Sequence, residues 1–207
     1  MAEQSSGTSV DPRTIDDIVR FHGHMCPGLA MGIRAAEAAL REVGPHSSDE
    51  EVVTLTETDM CAVDAIQYLT GCTFGKGNLI HLDYGKNAYT FIRRSDGKAV
   101  RISTRPGAFG RSPEYNELST RVRENRRTEE ELTRFEELRA NRVEAILQAP
   151  EDDLYDIEES ATEIPPMARI HDSIACTSCG ELTMETRVRR LEGKELCPAC
   201  FEAILSG

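Results

Sequence analysis

Cys176-Thr177-Ser178-Cys179 and Cys197-Pro198-Ala199-Cys200 form two Cys-x-x-Cys pairs enclosing seventeen residues. Four thiolates at this spacing fill the tetrahedral shell that zinc prefers, and a closed sulfur shell has no open position for catalysis. The segment is too short to fold on an apolar core of its own, so metal binding supplies its folding free energy. Gly180 follows the first pair, where a tight turn must aim backbone amides at sulfur. Residues 183 to 191 alternate as a hairpin that turns at Glu192-Gly193. Residues 174–207 therefore read as a zinc ribbon with Cys176, Cys179, Cys197 and Cys200 as ligands. Rubredoxin-like iron or redox dithiols are the alternatives.

The other 170 or so residues can hold one domain of ordinary size. A formal charge of -12, with 36 acidic residues against 24 basic ones, argues against a nucleic-acid partner. Arg187, Arg189, Arg190 and Lys194 give the ribbon some local positive charge, and surrounding acidity offsets it. No stretch reaches the ~18 apolar residues of a membrane span. The first residues lack the charged and apolar blocks of a signal peptide, so 1–13 read as a short disordered tail. Seven cysteines, four of them in metal-type pairs, fit a reducing cytoplasm better than a disulfide framework.

Between tail and ribbon the pattern is mixed. Thr14 suits the cap of a short helix ending near Phe21, and Pro27 suits the first turn of a second helix running to about 43. Gly28, Gly32 and Ala36 recur every four residues along that helix and allow close packing on a neighbour. Residues 51 to 58 alternate as a strand, Asp59 caps a helix over 60–69, and Gly71 ends it. Strands over 78–84, 88–94 and 99–103, with a hairpin at Asp96-Gly97, make an antiparallel meander. Residues 113–148 are helical and highly charged, with a capping box at Thr128 and Glu131 and a stripe of Leu132, Phe135, Leu138, Ile146 and Leu147. This helix is a solvated one with a packed face, or a dimer contact. Residues 151 to 163 carry seven acidic side chains and no basic ones, so 151–173 read as an acidic linker. The fold class is α+β: helices on a mainly antiparallel sheet over 14–150, plus the small C-terminal zinc ribbon.

A second cluster of soft and borderline ligands lies near the N-terminus, in His22-Gly23-His24-Met25-Cys26. A turn through Gly23 brings two of its three donors onto one ion. Cys61 opens the helix over 60–69, where the helix dipole favours thiolate. Asp64 and Gln67 follow at one-turn intervals on the same face. His22, His24, Cys26 and Cys61 are the candidate ligands of a second metal, zinc or another thiophilic transition metal. Asp64 is placed to orient a ligand, and Cys61, His24 and Asp64 are the candidate catalytic residues. Cys72 reads as a core residue, His81 as a core or surface residue, and His46 and His171 as loop residues. The loop Gly71-Cys72-Thr73-Phe74-Gly75-Lys76-Gly77-Asn78 is one residue short of P-loop spacing and has no hydroxyl after its lysine. It reads as a plain helix-to-strand connection, with an anion held by Lys76 and the loop amides as the alternative.

Phe21-His22-Gly23-His24-Met25-Cys26-Pro27-Gly28, Cys61-Ala62-Val63-Asp64-Ala65-Ile66-Gln67 and Thr70-Gly71-Cys72-Thr73-Phe74-Gly75-Lys76-Gly77-Asn78 together resemble the family of the E-type subunit of formylmethanofuran dehydrogenase. The ribbon is similar to the DksA/TraR-like module. The resemblance implies an α+β core, usually dimeric, with a metal-binding cleft lined by the His/Cys motif and the Cys-x-x-Asp helix. It also implies a link to molybdenum or tungsten oxidoreductases, in which the E-type polypeptide is not the catalytic one. The expectation is a cytoplasmic, homodimeric metal-binding accessory protein of such enzymes or of their cofactor handling. The competing expectation is a metal- or thiol-dependent enzyme acting on a small substrate in the cleft. A third is a regulator whose ribbon docks a protein or nucleic acid. A filled metal shell favours storage or structure, and three protein ligands with an open position favour catalysis.

Overall fold

A computed structural model describes residues 7–45, 49–110 and 112–206. The chain divides into two compact units, Met1–Met167 and Ala168–Gly207. The first six residues of the expected tail, and His46, lie outside the described residues.

The first unit opens with α1 (Pro12–His22) and α2 (Pro27–Val43). Residues 7–13 are not a free tail. The Thr8 amide donates to the Leu147 carbonyl, and the Thr8 hydroxyl donates to Glu37 at 2.7 Å. Asp11, not Thr14, caps α1, accepting from the Arg13 and Thr14 amides. A carboxylate three residues earlier competes better for the free amides of the first turn. Gly23, at φ +99°, ends α1 in the left-handed region that favours glycine.

α2 is almost wholly buried, lying over the sheet and against α3 (Ala62–Thr70). The expected Asp59 cap is absent. Cys61 stands at the cap position and its side chain caps nothing, while Gly71 closes the helix in the left-handed region.

The sheet runs β2-β1-β3-β4-β5 from β1 (Val52–Thr56), β2 (Leu79–His81), β3 (Ala88–Arg93), β4 (Ala99–Thr104) and β5 (Tyr155–Glu159). β1 pairs antiparallel with β3, β3 with β4 and β4 with β5. The expected meander is therefore interrupted. β2 does not lie beside β3; it pairs parallel with β1, with Thr54 opposite Leu79. The α3 crossover explains this, because it carries the chain over the sheet and returns it in the same direction.

The acidic segment corrects a second expectation. Residues 151–159 are not linker: α6 (Glu151–Leu154) leads into β5, an edge strand of the sheet. Leu154 and Tyr155 are buried and Ile102 faces Ile157 across the strands, so a few apolar side chains decide the matter. The carboxylates take the outer side, where Arg105 holds Asp156 at 2.7 Å and Arg41 holds Glu151 at 2.6 Å. Charged residues on an edge also discourage pairing with another chain.

α4 (Pro113–Arg123) and α5 (Glu129–Gln148) form the charged helical pair, and the Thr128–Glu131 capping box is complete. Ile146, Val143 and Leu147 pack on the core, and Phe135 meets the Tyr115 ring at 5.2 Å.

The second unit contains two small hairpins rather than one. β6 (Ser173–Ala175) pairs with β7 (Leu182–Met184), and β8 (Arg189–Leu191) pairs with β9 (Lys194–Leu196). A short 3-10 turn over Glu185–Arg187 separates them, and the second hairpin turns at Glu192-Gly193 with both residues at positive φ. α7 (Pro198–Ser206) follows. Cys176 and Leu196 are the buried apolar side chains among this unit's described residues, so metal must stand in for a core.

Candidate metal centre

His22 is the last residue of α1, and Cys26 is the N-cap of α2 four residues later. The left-handed Gly23 reverses the chain between them. The Cys26 sulfur accepts the Leu29 amide at 3.3 Å, which uses a free donor of the helix start to hold the sulfur in place. Cys61 arrives from the start of α3. It can do so because α2 shows glycine to α3: a Cβ on Gly28 would lie 3.1 Å from the Cys61 Cβ and 3.8 Å from the sulfurs of Cys26 and Cys61. The close approach expected of Gly28 and Gly32 thus serves α3.

One ring nitrogen of His22 and the sulfurs of Cys26 and Cys61 lie within 4.8 Å of one another. His22 Nδ1 is 2.6 Å from Asp64 Oδ2. Its other nitrogen, Nε2, is buried and has no hydrogen-bond partner. A buried polar atom without a partner costs ~1–3 kcal/mol, and such atoms in folded proteins call for a ligand or ion. Two sulfurs and an imidazole are the donors that zinc and other thiophilic metals choose. A carboxylate on one imidazole nitrogen, as Asp64 is on Nδ1, is the arrangement that orients metal-binding imidazoles. The residues therefore fit a metal ion, with His22, Cys26 and Cys61 as the donors.

His24 stands apart from this group. Its ring packs against His22, with centroids 4.7 Å apart, and its side chain is exposed. The expected thiolate at Cys61 also meets opposition. Burial pushes the Cys61 thiol up, and the neighbouring Cys26 sulfur adds to it. The weak dipole of the short α3 does not overcome these two effects, whereas a metal cation would.

Exposed apolar side chains flank the centre. Phe21 precedes His22, Met60 precedes Cys61, and Tyr68 follows Gln67, all of them exposed. Phe21 and Tyr68 pair at 6.2 Å between ring centroids. Phe74, the most exposed of these, sits where its amide donates to the Gln67 side chain at 3.2 Å. Sequence reasoning did not single out these aromatics. Their adjacency to the polar motifs was the available signal. A separate cavity of about 560 Å³, among Phe109, Tyr115, Leu138, Ile146 and Leu154, contains none of the candidate donors.

Cys72 is buried and its thiol donates to the Val52 carbonyl at 3.3 Å, as suits a core residue. Within the loop after α3, Asn78 accepts the Thr73 amide and donates to Val52, and Lys76 Nζ donates to the Asp49 carbonyl. His81 is exposed, and His171 lies 3.3 Å from Glu185.

In the second unit the sulfurs of Cys176, Cys179, Cys197 and Cys200 lie within 4.8 Å of one another, with Cys179 and Cys197 at 4.0 Å. Zinc–sulfur bonds of ~2.3 Å place tetrahedral sulfurs a little under 4 Å apart, so the cage is of the right size. The Cys197 amide donates to Cys176 at 3.3 Å and the Cys200 amide to Cys197 at 3.4 Å. The Cys179 and Cys197 amides pull the Cys176 thiol down to about 6, towards the form that binds metal.

Comparison with known proteins finds a family match within each unit. Residues 21–156 match the family model described as FmdE, Molybdenum formylmethanofuran dehydrogenase operon, and residues 171–204 match the prokaryotic dksA/traR C4-type zinc finger. A curated protein of Archaeoglobus fulgidus, named a probable S-adenosyl-L-methionine-binding protein, is 36% identical over 179 residues. That match covers 82% of this chain, and the chain spans about half, 48%, of the relative's length. The crystal structure of a tungsten formylmethanofuran dehydrogenase FmdE-like protein from Syntrophus aciditrophicus superposes with a TM-score of 0.60 at 23% identity. It covers 92% of this chain and 91% of its own, and it supports the α+β fold with its appended ribbon. Among the described residues no helix is long and apolar enough to cross a membrane.

Proposed function

This chain belongs to the FmdE family, and on that premise we propose that it is a metal-dependent accessory protein that presents a small molecule at the His22–Cys26–Cys61 centre. The carrying observation is a His22 ring nitrogen within 4.8 Å of two cysteine sulfurs, in an imidazole whose buried Nε2 has no hydrogen-bond partner. Zinc or another thiophilic transition metal suits these donors. Three protein donors leave a four-coordinate ion one position short, which is the donor count of reactive sites rather than structural ones. When bound, the metal supplies Lewis acidity and a soft site for sulfur ligands.

The rim supports a small-molecule ligand. Phe21, next in sequence to His22, pairs its exposed ring with that of Tyr68, and aromatic faces attract cations such as sulfonium. The name of the Archaeoglobus fulgidus relative supports S-adenosylmethionine as the first ligand to test. The family name supports a molybdenum or tungsten oxidoreductase as the system served. We place the protein in the cytoplasm as a homodimer; the free thiols support the reducing compartment.

The donor count also favours a second reading, an enzyme acting on a small substrate at the same centre. Asp64, with its side chain 37% exposed, and the exposed His24 are then the groups able to move protons. Cys61 is the nucleophile candidate.

Cobalt-loaded protein titrated with S-adenosylmethionine tests the ligand. A shift in the visible bands is the expected result, and unchanged bands at millimolar ligand would remove the small-molecule reading. Turnover of the ligand would favour the enzyme. Co-purification with a molybdenum or tungsten oxidoreductase tests the accessory role, and light scattering of the purified chain tests the dimer.

A further inference from the structure

We infer that Cys26 and Cys61 form a reversible dithiol/disulfide pair, in which Cys61 meets the oxidant and Cys26 resolves it. The pair holds two of the three donors of the centre, so closing it would regulate metal binding there. That regulatory part rests on the metal-centre reading above, whereas the cross-link itself does not.

Distance and room come first. Both thiols are free, and their sulfurs lie within 4.8 Å of each other although they come from different helices. Cys26 is the N-cap of α2, and Cys61 stands at the cap position of α3. A disulfide needs sulfurs about 2.05 Å apart and Cβ atoms ~3.5–4.5 Å apart. Gly28 leaves room for the sulfurs to close that gap: a Cβ on it would lie 3.8 Å from each of them. With no side chain there, rotation of the two cysteine side chains brings the sulfurs together while α2 and α3 keep their places. Cys72, the third thiol of the first unit, does not compete. The nine-residue α3 lies between it and Cys61, roughly 13 Å of helix, and its thiol donates to the Val52 carbonyl.

The two thiols differ in access. Cys26 is 9% exposed, and its sulfur accepts the Leu29 amide. Cys61 is partly exposed, and its side chain caps nothing. A small disulfide such as oxidised glutathione therefore reaches Cys61. The Cys61 sulfur bonds to one sulfur of the oxidant, whose S–S bond breaks and whose other half leaves as a thiol. Cys26 then attacks the Cys61 sulfur and expels the second half as a thiol. The two protein thiols give up two electrons and two protons, and the oxidant takes them to become two thiols. Burial raises the Cys61 thiol, which slows the first attack without altering this balance. Once joined, neither sulfur is a thiolate donor, and the imidazole of His22 alone does not hold an ion. Oxidation therefore empties the centre, and the pair is protected when an ion is bound.

The full chain, metal-free and zinc-loaded, is equilibrated in glutathione buffers of rising oxidised fraction. The remaining thiols are then alkylated and the peptides mapped by mass spectrometry. The expected product of the metal-free chain is a peptide pair joined through Cys26 and Cys61 and separated again by dithiothreitol. Excess zinc should raise the oxidised fraction needed by at least ~10-fold, because it binds the dithiol and not the disulfide. Cys26→Ser should stop at a glutathione adduct on Cys61, and Cys61→Ser should leave Cys26 unmodified. Absence of the 26–61 link in buffers that oxidise the ribbon thiols of the same metal-free sample would overturn the pair. A glutathione adduct on Cys26 in Cys61→Ser would overturn the division of roles. A link that forms equally well with and without zinc would remove the metal-centre reading and the regulatory part with it, and leave the pair standing.

Discussion

Gly32 of α2 lies directly against Ala62 at the start of α3: a Cβ built on Gly32 would sit 2.2 Å from the Ala62 carbonyl oxygen. No real side chain fits there, and the obstacle is backbone, which does not swing aside. This contact, with Gly28 one turn earlier, sets how near Cys61 comes to Cys26. Helix packing and metal geometry therefore depend on the same two glycines.

Gly32→Ala should separate α2 from α3 and weaken the fold by about 2–3 kcal/mol, in the range for overpacked cores. The metal centre should weaken with it while the ribbon keeps its zinc. Thermal melting and metal analysis of the variant check this. Wild-type stability with both metals retained would contradict the packing account.

Arg34 is a buried cation with a structural task. One of its nitrogens donates to the carbonyls of Ile146, Leu147 and Ala149 at 3.2, 2.9 and 2.8 Å, and Glu37 pairs with it at 3.2 Å. It thereby satisfies the free carbonyls at the end of α5. Arg34→Met should cost ~3–5 kcal/mol, because the Ala149 carbonyl loses its side-chain donor and Glu37 loses its paired cation. Arg34→Lys should recover only part of this, since an ammonium cannot reach several acceptors as a planar fork does. Chemical denaturation of the three proteins provides the ranking.

Much of this was legible in the sequence, and the failures share a cause. The four ribbon cysteines, the α5 capping box, Gly71 at the end of α3 and the Gly28, Gly32 and Ala36 row of α2 are local signals read within one turn or one motif. The β1–β2 parallel pair and the edge strand β5 depend on partners far along the chain. In β5 seven acidic residues nearby drowned the alternation of Tyr155 and Ile157. At the metal centre, spacing placed His22, Cys26, Cys61 and Asp64 in play. It could not separate His22 from His24, because that choice turns on one left-handed glycine at position 23.

Alkaline pH should unfold the first unit. Burial raises the Tyr89 hydroxyl, and burial together with the neighbouring Tyr89 raises that of Tyr155. Both are neutral in the fold, while the unfolded chain ionises them above pH ~10. The unfolded state then binds fewer protons, so stability present below pH ~10 falls as pH rises beyond it. Ultraviolet titration should find two of the five tyrosines resisting ionisation until circular dichroism reports loss of structure. All five ionising with the fold intact would be the contrary result.

Cys197→Ser should release the ribbon metal and unfold residues 173 to 206, because little else holds that unit. The first unit should melt as before. Retention of zinc in the ribbon by native mass spectrometry would contradict the four-sulfur assignment.

The metal content of Cys61→Ser beside the wild type tests the shared centre most directly. Two equivalents per chain are expected in the wild type, one in each unit. Cys61→Ser should lose about one equivalent and keep a folded ribbon. An unchanged metal count would mean that Cys61 is not a ligand and that the thiols beside His22 serve some other end.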